Sequence, residues 1–77
     1  MMGEIEKKFR NYVRELSSIS LDGAIIYILG RYPISREEAE RIAESVFRDF
    51  HERGEGIYYT ILGGAPVFEY KGDVKEK

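Results

Sequence analysis

Lys7, Arg10 and Arg14 recur at i, i+3 and i+7, with Lys8 on their flank. On a helix that spacing lines three long cationic side chains along one face. The chemistry available to such a row is phosphate neutralisation, which needs only a local patch and not a basic chain. Arg36, Arg41 and Arg48 make a second cationic set in a later amphipathic segment, and Lys71 stands near the end. Both sets are opposed by acids. Residues 1–16 carry four basic against three acidic side chains, and residues 35–53 carry four Arg against five Glu and one Asp. Each face therefore keeps two readings: phosphate contact, or a solvated surface. On the later segment the solvated surface would be laced by Glu37–Arg41 and Glu44–Arg48 pairs at i, i+4.

Other chemistry has less to work with. His51 is the single histidine and there is no cysteine, so a metal site would need carboxylates alone, and no spaced Asp/Glu loop offers one. No metal and no cofactor are expected. His51 reads as a helix C-terminal residue meeting the last carbonyls. Ser17, Ser18, Ser20, Ser35 and Ser45 have no base at a recognisable spacing, and Gly63-Gly64 lacks the surroundings of a phosphate-binding loop. Catalysis is not expected. Six tyrosines and four phenylalanines are a heavy aromatic load. Phe9, Phe47 and Phe50 read as core. Tyr58, Thr60 and Leu62, on one face of a short ribbon, read as an interface or a stacking platform for bases, or as cover for the helices.

These residues sit in a chain of 77, enough for one domain that buries roughly 60% of its unfolded surface. Without cysteine no disulfide can supplement packing, so self-association into a homodimer is expected to help. Hydrophobic content of 43% beside 34% charged residues marks a folded domain, and a net charge of −2 argues against tight nucleic-acid binding without excluding a local basic face. The longest apolar run, Ala24 to Leu29, falls far short of the ~18–20 residues of a membrane span, and the N-terminus shows no signal-peptide core. A cytoplasmic location with no membrane partner is the expectation. One Asn, no Gln and abundant Glu, Lys and Arg suit a thermophile.

Four elements must position the candidates. A first helix over 4–16 is predicted from Ile5, Phe9, Tyr12, Val13 and Leu16, and Ser17-Ser18-Ile19-Ser20 then reads as a linker. A second helix over 21–31, capped by Ser20 or Asp22, buries Leu21, Ala24, Ile25, Ile28 and Leu29 and ends at Gly30 and Pro33. A third covers 35–53. Ser35 and Glu38 have capping-box spacing there, Ile34 can staple against Ala39, and Gly54 and Gly56 stop the helix. A β-hairpin over 57–70 follows, turning at Gly63-Gly64, and 71–77 is a polar tail. Alternation sets Ile57, Tyr59 and Ile61 on one face and Tyr58, Thr60 and Leu62 on the other. The fold class is α+β: a three-helix bundle with a C-terminal β-hairpin.

This order, with the passage Phe50-His51-Glu52-Arg53-Gly54-Glu55-Gly56-Ile57-Tyr58-Tyr59, resembles a winged helix-turn-helix domain over residues 4–71. The resemblance implies that 35–53 is a recognition helix, that Gly63–Pro66 is the tip of the wing, and that the partner is double-stranded DNA. Two features depart from it. The third helix is acidic overall, and the wing tip has no Lys or Arg, only Lys71 lying near. The resulting expectation is a winged-helix-like transcriptional regulator whose DNA contacts are Lys7, Lys8, Arg10, Arg14, Arg36, Arg41, Arg48 and Lys71. The competing expectation is a protein–protein interaction or dimerisation module that uses the ribbon and binds no nucleic acid.

Overall fold

Serine caps and apolar stripes place the helices, and one short strand between them fixes the hairpin. In the computed structural model, which describes residues 2–72, the chain runs α1 (Met2–Arg14), β1 (Ser18–Ser20), α2 (Leu21–Arg31), α3 (Arg36–Glu52), β2 (Gly56–Thr60) and β3 (Pro66–Tyr70). Residues 73–77 of the expected polar tail lie outside the described residues. The α+β class is as the sequence implies, with one strand more than the hairpin alone.

The α3 start has the geometry its spacing demands. Glu38 N–H donates to Ser35 Oγ at 3.1 Å, and Ser35 N–H donates to Glu38 Oε1 at 3.2 Å, so two orphan amides of the first turn are satisfied reciprocally. Ser20 caps α2, accepting from Gly23 N–H at 3.0 Å. Gly30 does not end that helix. The helix continues through Arg31 to an extended Tyr32, because the residue ahead of Pro33 is forced out of helical space. At the end of α3, Gly54 takes the left-handed conformation with φ 79°. Gly56 is not a helix stop and belongs to β2.

The expected linker Ser17–Ser20 is a strand over its last three residues. β1 pairs antiparallel with β3, Ile19 opposite Phe68, and the sheet order is β1-β3-β2. Its single apolar residue gave no alternation to read; pairing with β3 supplies the strand character, as context commonly does for short strands. β2 pairs with β3 on the other side, Tyr58 opposite Phe68. The hairpin is thus held at both edges of its inner strand, and it closes through a turn in which Gly64 N–H donates to Ile61 O at 2.8 Å. Gly63, third in that turn, has φ 75°, while Gly64 has no positive φ.

The helices and the inner face of the sheet share one core. Phe9, Phe47, Phe50 and Phe68 are fully buried with Val13, Ala24, Ile28, Ala43 and Val46. Phe68 lies parallel to Phe47 at 4.8 Å between centroids, and Tyr12 stacks on Tyr27 at 3.6 Å. α3 is the centre of this arrangement. Its residues Ala39, Ile42, Ala43, Val46, Phe47 and Phe50 are all buried, against α1, α2 and β2.

Candidate nucleic-acid interface

With that stripe buried, α3 keeps one open side carrying Glu37, Arg41, Ser45, Arg48 and Glu52, while Arg36 is exposed apart from it, at the first turn. The expected Glu37–Arg41 and Glu44–Arg48 pairs do not form. Among the described residues, no carboxylate lies within ion-pair distance of Arg36, Arg41 or Arg48. Glu40 and Glu44 are half-buried, and their charges reach the Tyr58 phenol instead. That phenol is held above its ordinary value of 10.0, first by burial and next by Glu44, with Arg48 opposing and Glu40 adding.

The basic row of α1 divides. Lys7 and Lys8 stay exposed beside a shallow groove with Gly3, Glu4 and Asn11, and Lys8 pairs with Glu4 at 3.6 Å. Arg10, expected among the phosphate contacts, turns inward and is partly buried. Its Nη1 lies 2.8 Å from Asp49 Oδ2, and Arg53 Nε approaches the same oxygen at 3.2 Å. That oxygen is buried and held by both charges, though neither guanidinium is aligned on it as a hydrogen bond. Arg10 follows Phe9 directly and sits three residues before Val13, at the margin of the buried stripe, so its stem runs along α3. Arg10 and Arg14 also lie over the Phe50 ring, at 5.4 and 5.3 Å, and Arg14 Nη1 donates to Asn11 Oδ1 at 3.3 Å. Arg14 remains exposed; Arg10 is a brace between helices.

The hairpin separates the three ribbon candidates. Tyr58 points inward, its ring 5.3 Å from Phe47, so it covers α3 and does not share an outer face with Leu62. Thr60 is exposed at the strand end, and Leu62 is 100% exposed in the turn, where the strand alternation has already stopped. The outward face carries Ile57 and Tyr59, with Ile61 exposed beyond them. Tyr59 OH donates to Glu69 Oε2 at 2.7 Å, and Lys71 Nζ lies 3.3 Å from Glu69 Oε1, so Lys71 is engaged at the hairpin base.

One contact of the hairpin has no signal in the sequence. Tyr58 N–H donates to His51 Nδ1 at 3.2 Å, tying the end of α3 to the outer edge of β2. The ring therefore serves a strand amide and not the last helical carbonyls. Nothing in a seven-residue separation across a turn advertises such a bond.

Among the described residues no group of three His, Cys, Asp or Glu side chains could hold a metal ion, and no helix is long and apolar enough to cross a membrane. No protein-family model matches the chain, and no curated protein or solved structure matches it.

Proposed function

We propose that the chain is a small DNA-binding protein of winged helix-turn-helix type, acting in the cytoplasm as a transcriptional regulator. The observation that carries this is the open side of α3. Arg41 and Arg48 are exposed there and Arg36 is exposed at the first turn, none with an ion-pair partner among the described residues, on a helix whose apolar stripe is buried along its length. A rigid helix with free guanidinium groups can approach a groove and neutralise phosphates at little conformational cost. The hairpin anchored beside it, through β3 paired on both edges, fits a wing. Lys7, Lys8 and Arg14 extend the footprint along α1, and Arg10 does not.

Fluorescence anisotropy with a mixed-sequence duplex tests this. The three α3 arginines alone give a slope of about −2.7 in log affinity against log salt, so raising salt from ~50 to ~200 mM weakens binding at least about 40-fold, and more with the α1 contacts. The double variant Arg41→Glu with Arg48→Glu removes binding at the lower salt, while Lys7→Glu with Lys8→Glu weakens it less. Absence of duplex binding by the native chain at the lower salt overturns the proposal.

A second reading has its own support. Ile57, Tyr59, Ile61 and Leu62 are large apolar side chains left exposed on the outer face and tip of the hairpin. Such clustering marks a protein contact surface. Binding there responds little to salt, which separates it from duplex binding.

A further inference from the structure

β2 is an outer strand, and its outer edge has almost none of the devices that keep strand edges from pairing. Folded proteins blunt exposed edges with lysine, proline, bulges or cover from other elements. Gly56-Ile57-Tyr58-Tyr59-Thr60 contains no charge and no proline, and it continues into Ile61-Leu62, also uncharged. It pairs with β3 residue for residue, without a bulge. The opposite edge of the sheet, β1, is only three residues long, and Ser20 at its end is committed to capping α2.

Among the described residues, the His51 imidazole stands on the edge of β2. In an antiparallel ladder the N–H and C=O of a residue point to the same side. Tyr58 N–H goes to His51 Nδ1, away from β3, so both backbone groups of Tyr58 face outward and the imidazole covers the amide at the middle of the strand. We propose that His51 guards this edge, and that the partner it holds off is a second copy of β2, paired antiparallel about Tyr58.

The strand's own sequence points to that occupant. A two-fold axis at Tyr58 pairs Tyr58 with Tyr58 of the second copy, Ile57 with Tyr59, and Gly56 with Thr60. The outer face then presents an aliphatic–aromatic cross-strand pair at each side of the axis, a favourable combination, and no like charges meet. On the inner side Gly56 faces Thr60, the two smallest residues of the strand. The exposed Ile57 and Tyr59, at 43% and 38%, become neighbours across the junction. Five residues of pairing bury less than a stable interface needs, so the contact is weak and reversible. His51 makes it weaker, because its bond to Tyr58 N–H must break before the strands can meet.

Because the chain has no cysteine, single introduced thiols report the register. The variants Ile57→Cys and Tyr59→Cys, both at exposed sites, are oxidised separately and as an equal mixture, without DNA, and dimers are sorted by intact mass. Directly opposed residues of a non-hydrogen-bonded pair have Cα atoms about 4.5 Å apart, within disulfide reach, whereas 57 to 57 or 59 to 59 is a diagonal of about 7–8 Å. The mixed 57–59 dimer is therefore expected to exceed both homodimers well beyond the statistical ratio. Placing His51→Ala in both chains raises its yield several-fold, and His51→Ala alone increases the apparent mass above 8.9 kDa at concentrations where the native chain does not. Statistical yields of the three dimers overturn the register, and an unchanged yield with His51→Ala overturns the guard. Neither outcome depends on whether the chain binds DNA.

Discussion

The two faces of the β2–β3 hairpin are built from similar residues and carry opposite duties. Inward, Phe68 lies parallel to Phe47 at 4.8 Å and near Phe50 at 5.7 Å, Tyr58 tilts against Phe47, and Tyr70 meets Phe50 edge-on at 5.3 Å. Outward, Ile57 and Tyr59 are exposed, with no helix over them among the described residues, and a polar contact joins Tyr59 to Glu69 at 2.7 Å. An aromatic side chain is thus core or surface according to one residue of phase. The inner face holds the domain together, and the outer face is free to meet something else.

Removing the inner anchor has the largest expected effect. Phe68 is fully buried among rings from α3, and truncating such a residue costs roughly 3–5 kcal/mol, a large share of the 5–15 kcal/mol that holds a typical domain. Phe68→Ala is expected to unfold cooperatively at much lower denaturant, or to fail to fold, with chemical denaturation as the measurement. A loss under ~1 kcal/mol would mean that the inner face is not the anchor.

Adding volume tests the same face more gently. A Cβ on Gly56 would stand 2.3 Å from Phe68 Cζ and 2.7 Å from Glu69 O, and the second of these is backbone that cannot rotate away. Gly56→Ala is expected to cost about 1–3 kcal/mol by overpacking, seen as a fall in Tm of the order of 4–20 °C for a domain this size. The glycine is required here by close approach, not by a left-handed backbone.

Why phase escaped the sequence is visible in these residues. The period-2 alternation of Ile57 to Leu62 is legible, but both sets contain a tyrosine and large aliphatic residues, so composition does not say which set faces in. Gly56 decides it, since only glycine fits beneath Phe68, and a glycine after a helix reads first as a stop. β1 hid for a related reason: with Ile19 as its one inward apolar residue, its strand character comes from β3, fifty residues away in sequence. Helix features were legible because their determinants are local. Ser35 with Glu38, the apolar stripe from Ala39 to Phe50 and the extended residue before Pro33 each act within a turn or two. On the candidate interface, residue types showed where guanidinium groups could be, but Arg10 against Asp49, and Tyr58 N–H on His51, join different elements and have no sequence signature.

The outer face offers the smallest and most specific test. Glu69 is held below its ordinary 4.5, chiefly by the hydrogen bond from Tyr59 OH and next by Lys71, and Tyr59 is held above 10.0 chiefly by the same bond. For Glu69 the folded value is depressed, so its contribution to stability is present above 4.5 and is lost as pH falls through the depressed value. For Tyr59 the folded value is raised, so its contribution is complete below 10.0 and is lost as pH rises beyond it. Tyr59→Phe removes the phenolic donor and leaves Lys71 in place. In a carboxyl NMR titration, Glu69 should move back toward 4.5 without fully reaching it, since Lys71 still acts on it. Stability at neutral pH should change little, because exposed hydrogen-bonded pairs are well solvated, and any difference between native chain and variant should vanish on acidification through the depressed value of Glu69. An unchanged Glu69 titration would place Lys71 in control of the carboxylate and leave the Tyr59 ring unanchored. The outer face would then have no fixed aromatic to offer a second β2, whereas a shift of Glu69 alone, without loss of fold, shows that surface to be organised independently of the core beneath it.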